Sequence, residues 1–488
     1  MLPGVHAIVP ILGFIIFFLA PKTQIPMAPL SFAIKGRVLT AEDGAEYLNA
    51  LNRFSHVSIL KPQHIFFPAE LDDIPPILNY ATSNDPPIEL AVKGGGIHSS
   101  AWASSDGGIV IDLAQLNKVA LSPDNQSVIV QGGAVWGDVY KVCQEAKLEV
   151  VGSPLWFVGV GGFTLGGGYG PLSGEHGLAI DNLLSAIVVL ADGRIVRTSP
   201  TEEPELFWAI RGGGNQFGIV VEFTFKTHPS AGPFTVGTLI YDGEKLPLIL
   251  KAIQDWKANQ TANSRLNLMF FRPGPSFAPK IMLLPWIAGS ASNVEEILAP
   301  FRRTVTPLLD KVNSVPDMFA LSHGSDASFA AAPKRLIIRG LFIADIWGDM
   351  MMEVFKRWRD HTEGSEDVKS SGIMCDLTFP YKITEIDPSA TASHVRRPHY
   401  WFSVQGRSNR VEADDVNKAF VASVARYVRE YNTQKTGEDF GAWISMAQGD
   451  ESAKDIFGDN LSRLRRAKAR YDPQKVWTKG IVIEPASE

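Results

Sequence analysis

The sequence predicts an α+β protein built from two lobes, and three observations carry that reading. Glycine is concentrated in three loops between Lys93 and Gly218, and each loop joins segments rich in β-branched residues. Short helical and strand patterns are mixed in this region, without the regular alternation of a doubly wound sheet. The stretch His228-Pro-Ser-Ala-Gly-Pro233 then interrupts the pattern, and longer strand and helix signals follow it. A chain of 488 residues is also too long for one hydrophobic core and suits two or three lobes.

The elements follow in order. Residues 88–92 read as a short apolar strand leading into the first glycine loop, Lys93-Gly94-Gly95-Gly96-Ile97-His98-Ser99-Ser100. Further strands are expected over 109–113, after the Asp106-Gly107-Gly108 turn, and over 127–130. A helix over 135–147 carries Val135, Val139 and Val142 at helical spacing, and Cys143 on it reads as a small buried hydrophobe. The second loop runs Val158-Gly159-Val160-Gly161-Gly162-Phe163-Thr164-Leu165-Gly166-Gly167-Gly168-Tyr169-Gly170. Segments 186–190 and 194–197 flank Asp192-Gly193, a hairpin signal. Residues 204–211 read as a helix ended by Gly212. There the third loop begins, Arg211-Gly212-Gly213-Gly214-Asn215-Gln216-Phe217-Gly218, and a strand over 218–225 closes the lobe. Beyond residue 233, strands over 236–241, 265–271 and 280–285 and helices over 294–304, 350–361 and 413–430 suggest a second sheet covered by helices on one face. A last helix over 463–470 carries a basic run read as a solvated face.

Composition removes several functions. Charged residues at 20% and hydrophobic ones at 45% describe a globular protein, and a net charge of −6 gives no reason to expect nucleic acid. Two cysteines, Cys143 and Cys375, cannot build a disulfide framework or a structural zinc cluster, and no metal site is expected. No Gly-Lys-Ser/Thr follows a glycine at Walker spacing, and Thr164 stands where a dinucleotide fingerprint needs its third glycine. Triplets of glycine on three loops still demand an explanation. They suit positive φ, or backbone that approaches something bulky, and successive amides in such loops form nests for phosphate.

The wording of these loops resembles the flavoproteins of the p-cresol methylhydroxylase and vanillyl-alcohol oxidase superfamily, especially its berberine-bridge-enzyme-like branch and fungal FAD-linked oxidoreductases. The resemblance covers about Pro62 to Pro229, including Gly107-Gly-Ile-Val-Ile-Asp-Leu113, Val130-Gln-Gly-Gly-Ala-Val-Trp-Gly-Asp138 and Glu205-Leu-Phe-Trp-Ala-Ile-Arg-Gly-Gly-Gly-Asn215. A weaker echo closes the chain at Phe457-Gly-Asp-Asn-Leu-Ser-Arg-Leu464. It implies an FAD-binding domain of the p-cresol methylhydroxylase type over 58–231, a substrate domain over 232–455, and a segment 456–488 returning to the first. FAD is implied as cofactor, held by Gly94, Gly95, Gly96, Ile97, His98 and Ser99, and by Val158, Gly159, Gly161, Gly162 and Thr164. Ser104 and Ser105 match supporting hydroxyls, and Ile219 and Val220 a segment near the adenine end. His98 is the expected covalent flavin ligand, one place later than the family's Gly-Gly-His spelling. Leu155 fills the position of a second, cysteine tether.

The family's tyrosine base lies in Gly-Ala-Tyr-x-Asn-Tyr, which here reads Gly441-Ala442-Trp443-Ile444-Ser445-Met446. A replacement is sought in segment 389–402, where His394, His399 and Tyr400 are the candidate catalytic groups; histidine suits proton abstraction near neutral pH. The alternative is a strand whose charges are solvated. The activity implied is oxidation of a small molecule, hydride passing to the flavin and then O2 yielding peroxide, in secondary metabolism. A sugar or oligosaccharide oxidase, or a flavin-binding protein without turnover, are the rivals.

Residues 5–20 form an apolar run between the lengths of a signal core and a membrane span. It is expected to be a secretory leader or anchor within residues 1–30, with a cytoplasmic protein if translation starts at Met27. Three sequons, at Asn125, Asn259 and Asn460, accompany it.

Overall fold

The computed structural model describes residues 30, 32–289 and 294–487. Apart from Leu30, the expected leader therefore lies outside the described residues. Internal contacts make Ile34–Glu488 one compact unit.

The first lobe holds two sheets. One has the order β1-β2-β4-β3, from Arg37–Leu39 (β1), His64–Phe67 (β2), Leu90–Lys93 (β3) and Ile109–Asp112 (β4). Strand β4 runs parallel to both neighbours, with Val110 opposite Ile65 and Ala91. The lobe thus begins before residue 58, because β1 pairs with β2 from Arg37 opposite Phe67. Three residues are too short a run to show strand periodicity in sequence. The other sheet is antiparallel: Val119–Leu121 (β5), Ser127–Gln131 (β6), Leu183–Val189 (β8), Ile195–Thr198 (β9) and Ile219–Lys226 (β10), in the order β5-β6-β10-β8-β9. Leu148–Glu149 (β7) and His228–Pro229 (β11) pair as a small ribbon. The helix Trp136–Glu145 buries Trp136, Val139, Tyr140 and Cys143, one face of a 3.6-residue period. Cys143 is thus a core residue, its thiol pushed up to about 12 by burial.

The second lobe is one antiparallel sheet of order β15-β12-β14-β13-β17-β18-β16. Its strands are Phe234–Asp242 (β12), Ser264–Phe271 (β13), Lys280–Ala288 (β14), Leu309–Val315 (β15), Arg335–Ile343 (β16), Gly372–Asp376 (β17) and Tyr400–Ser408 (β18). The period of two divides each strand between two cores. Leu266, Leu268, Phe270, Ile373, Cys375, Phe402 and Val404 pack under the helices Leu246–Lys257, Val294–Thr304, Gly348–Glu363 and Asp414–Thr436. Trp401, Phe342 and, less deeply, Met374 turn the other way, into the core shared with the first lobe. Strands β15, β16 and β18 carry internal Asp, Arg or Gly residues and β17 is only five residues long, which hid them from the sequence pattern.

The helix Leu461–Tyr471 returns to the first lobe, where Leu464 and Ala467 join the core of Leu206 and Phe207. Its basic run is not wholly solvated. Lys468 is fully buried, donating to Asp472 Oδ2 at 2.6 Å, Gln216 O at 2.8 Å and Trp477 O at 3.3 Å. Among the sequons, Asn125 and Asn259 are exposed, whereas the Asn460 amide donates to Thr391 O at 3.2 Å and Ala392 O at 3.3 Å. Glycosylation at Asn460 would break that anchor. Among the described residues, no helix is long and apolar enough to cross a membrane.

Asp472→Ala strands the Lys468 ammonium in the core and should cost about 3–5 kcal/mol. A denaturant melt followed by tryptophan fluorescence should show the loss, and Lys468→Met with Asp472→Leu should recover most of it.

Candidate cofactor cleft and active site

The first two glycine loops touch backbone to backbone. A β-carbon on Gly95 would lie 2.6 Å from Gly159 Cα, and one on Gly159 would lie 2.7 Å from Gly95 Cα. Neither position admits a side chain. Gly96 turns the first loop at a φ of +67°. Gly161 and Gly162 differ: a β-carbon on Gly161 meets only Gly132 O at 3.5 Å and Phe223 at 3.9 Å, and one on Gly162 meets nothing within 4 Å. The protein itself does not require these two glycines, so their bare backbone is left for something that docks against it. They occupy the first turn of the helix Val160–Leu165, where amides lack intrahelical acceptors.

Two hydroxyls beside the loops are buried without a hydrogen-bond partner, those of Ser104 and Thr164. An unpaired buried donor costs about 1–3 kcal/mol, so both fit a polar ligand. Ser105 is already committed, donating to Glu89 Oε1 at 2.6 Å. Lys93 is paired with buried Asp112 at 2.9 Å. Ile219 and Val220 are buried at the start of β10, and Val158 is half-buried ahead of the second loop. An uncharged cradle of glycine backbone with unpaired hydroxyls fits the pyrophosphate and ribityl oxygens of FAD.

The loop after Gly96 is stapled to residues 444–448. Gln448 Nε2 donates to Ser99 Oγ at 2.9 Å, and Ser100 Oγ donates to Ala447 O at 3.2 Å. His98 stacks on Trp102 with ring centroids 4.0 Å apart; its Nδ1 accepts from the Ser100 amide at 3.1 Å and Nε2 faces Ile444 O at 3.5 Å. Burial pushes the imidazole down to about 4, so it is neutral, with the proton on Nε2.

Residues 166–170 form the next wall. Gly167 and Gly168 take φ of +107° and +83°, which aim Tyr169 at the second lobe. Trp443, in the place of the family's base, donates its indole N–H to Gly166 O at 3.0 Å and packs edge-on to Tyr169 at 5.4 Å. It is a wall, not a base. A cavity of about 20 Å³, room for one water, lies among Gly166, Tyr169, Phe342, His394, Trp443 and Ile444. The three candidates from segment 389–402 separate. His394 lines this cavity. His399 lies behind it, buried, with Nδ1 against Arg397 O at 2.6 Å and Nε2 against the Tyr169 hydroxyl. Tyr400 packs against the helix-side core, with Lys257 Nζ over its ring at 4.9 Å, because adjacent residues of a strand face opposite ways. Burial holds His394 and His399 down to about 4. Tyr169 was not singled out in sequence; its only signal was an aromatic ring inside Gly166-Gly-Gly-Tyr-Gly170.

The sheet face toward the first lobe has a polar floor. Asn267, Asp376, Trp401 and Phe342 stand opposite one another across β13, β17, β18 and β16, forming one row. Arg265 pairs with Asp376 and lies over Trp286 at 4.8 Å. Buried and without hydrogen-bond partners here are Arg265 Nε and Nη1, Asn267 Oδ1, Trp401 Nε1 and Ser403 Oγ. Phe342 brings the row to Tyr169, 5.9 Å away.

Gly95→Ala should unfold the loop contact and abolish FAD loading together with soluble expression. Gly161→Ala should fold normally, by circular dichroism, while the visible flavin absorbance falls. The histidines also set an acid limit. Their folded pKa values of about 4 lie below the ordinary 6.5, so the unfolded chain binds more protons between those values. The stability they contribute is complete above pH 6.5 and lost as pH falls toward 4, which melting curves at pH 7, 6 and 5 should show.

Comparison with known proteins agrees with this geometry. A family model described as FAD binding domain matches residues 62–199, and one described as berberine and berberine like matches 442–479. FAD-linked oxidoreductase pgmH of Aspergillus terreus is 30% identical over 94% of this chain and 95% of its own. Xylooligosaccharide oxidase of Thermothelomyces thermophilus is 27% identical over 92% of each chain. The solved xylooligosaccharide oxidase from Myceliophthora thermophila C1, in complex with xylobiose, superposes with a TM-score of 0.80 at 25% identity, over 93% of this chain and 98% of its own. With the loops, the C-terminal staple and these relatives in agreement, the chain belongs to the berberine-bridge-enzyme-like FAD-linked oxidoreductases and is an FAD-dependent oxidoreductase.

Proposed function

We propose that this enzyme oxidises an alcohol group on an oxygen-rich small molecule and that O2 is the final electron acceptor. The polar floor carries the reading. Five buried donors and acceptors on one sheet face, on Arg265, Asn267, Trp401 and Ser403, would each cost free energy unless a ligand pairs with them. An apolar alkaloid would leave them unpaired, whereas a hydroxylated secondary metabolite or a short saccharide would not. The saccharide reading has its own support in the relatives named xylooligosaccharide oxidase and glucooligosaccharide oxidase. Trp401 and Trp443, with ring centroids 5.4 Å apart, add apolar surface on which a sugar ring can stack.

FAD, when bound, supplies the two-electron acceptor for a hydride from carbon. The chain's share is positional. Gly94 to Ser99 and Val158 to Thr164 would hold the cofactor, with Ser104 and Thr164 pairing to its oxygens and Ile219 and Val220 flanking its adenine end. The floor orients the substrate, and Trp443 and Phe342 keep water from the reacting carbon. The test is to mix anaerobic holoenzyme with xylobiose, cellobiose and cinnamyl alcohol separately and to follow loss of flavin colour. Bleaching by any of the three, followed by peroxide on admitting air, supports the reading; flavin that none of them bleaches would sink it.

His98 is proposed as the single covalent flavin ligand. Nε2, whose contact to Ile444 O is weak at 3.5 Å, is the nitrogen free to take the link, since Nδ1 is held by the Ser100 amide. Colour should stay with acid-precipitated wild-type protein and wash off His98→Ala. Colour released from wild type refutes the tether and leaves FAD binding intact.

A further inference from the structure

We propose that Tyr169 is the group that takes the proton from the substrate hydroxyl, with His399 behind it as the proton's next acceptor. The inference rests on the alcohol-oxidation reading above. The family's base position is filled by Trp443, whose only side-chain donor is engaged by Gly166 O. Tyr169 lines the cavity and His399 does not, so the histidine is shielded from substrate by the phenol. The direction of the pair follows from the other ring nitrogen. His399 Nδ1, 2.6 Å from the Arg397 carbonyl, must donate, since a carbonyl only accepts. Nε2 is then the unprotonated nitrogen, and the Tyr169 hydroxyl donates to it. The phenol oxygen keeps a lone pair for a hydroxyl proton arriving from the cavity side.

The charged neighbours do not compete. Arg396 is bound to Asp181 through two contacts of 2.8 Å, Arg397 is paired with Glu438, and His394 is neutral. The aromatic walls hold the pair rigidly: Phe342 meets His399 edge-on at 5.1 Å, and Trp443 meets Tyr169 edge-on at 5.4 Å. In the step proposed, the substrate O–H proton moves to the Tyr169 oxygen as the phenol proton moves to His399 Nε2. The carbinol C–H bond breaks with its electron pair, which leaves as hydride to FAD, and C–O becomes C=O. The proton held on His399 leaves later with peroxide, so two hydrogens and two electrons pass from alcohol to O2. Tyr169 is the catalytic residue, and His399 acts through it as a positioning and relay residue.

The test uses holoenzyme and whichever of xylobiose, cellobiose or cinnamyl alcohol bleaches the wild-type flavin. Tyr169→Phe should slow anaerobic flavin reduction at saturating probe by about a hundredfold or more, with the flavin absorbance unchanged. His399→Gln should slow it less and make the rate climb with pH up to pH 10, because the phenol must then give its proton to solvent. A purely structural pair would change FAD content or stability without moving that pH profile. In protein labelled with ¹⁵N at histidine, Tyr169→Phe should shift one unprotonated imidazole nitrogen downfield. Reduction within tenfold of wild type in Tyr169→Phe overturns the assignment, and so does an unmoved ¹⁵N resonance. Wild-type flavin that no probe bleaches overturns the alcohol-oxidation reading and the catalytic role together, while the ¹⁵N shift still reports the pair.

Discussion

Gly95 and Gly159 come within a β-carbon's width of each other, and the cofactor cleft is organised by that contact. Each loop supplies the surface on which the other rests, so neither has its shape alone. The contact also sets the strand ends: Val160 N donates to Ala134 O at 3.0 Å and Trp136 N to Val158 O at 3.0 Å, tying the second loop to the helix Trp136–Glu145. The loss of backbone entropy is offset by the surrounding core, in which Trp136, Val160 and Phe223 are fully buried. What remains on the open side is bare backbone at Gly161 and Gly162 and two unpaired hydroxyls, a surface completed only by a ligand.

The two lobes are coupled through residues near the C-terminus of the chain. Residues 442–448 pass between β16 and the first glycine loop: Trp443 N donates to Gly340 O at 2.9 Å, and Gln448 bridges Ser99 Oγ and Ile338 O. A substitution in this segment therefore reaches both the cradle and the sheet. Trp443, where the resemblance implies a tyrosine, brings no ionisable group to the cleft and forms its wall. Tyr169 and His394 line the cavity beside Trp443, His399 lies behind Tyr169, and both members of the Tyr169–His399 pair are buried. That burial keeps both neutral in the resting protein and makes any proton movement between them a coupled one.

The polar floor likewise holds buried polar atoms without protein partners. Arg265 and Asp376 form a buried ion pair, and such pairs contribute little net stability compared with an apolar replacement. Keeping five unpaired polar atoms around it costs more still, unless binding offsets the loss. Sites built to pair with hydroxyls discriminate strongly against ligands that lack them. On the proposed alcohol-oxidation reading the floor serves recognition, and its alignment into one cross-strand row follows from sheet register alone.

Much of this was legible in the sequence because it depends on short-range chemistry. Glycine triplets, the Asp192-Gly193 turn and helical spacing over 136–143 report local backbone demands, so the elements between residues 88 and 225 could be placed within a few residues, whereas the lobe's start at Arg37 could not. Residues 230–233, read as a boundary for the same reason, separate β11 from β12, which belong to different sheets. Pairing is not local. Strand β1 is recognisable only by its partner β2, and β15 to β18 only by the sheet that buries one face of each. Sequence proximity also grouped His394, His399 and Tyr400, which the irregular run before β18 and the start of that strand carry to three different surroundings. Tyr169 and His399 lie 230 residues apart and become one unit only when the lobes close. Residue types and local conformation were set by the chain itself; which polar groups are buried, and against whom, was decided by tertiary packing, because burial is a property of both surfaces.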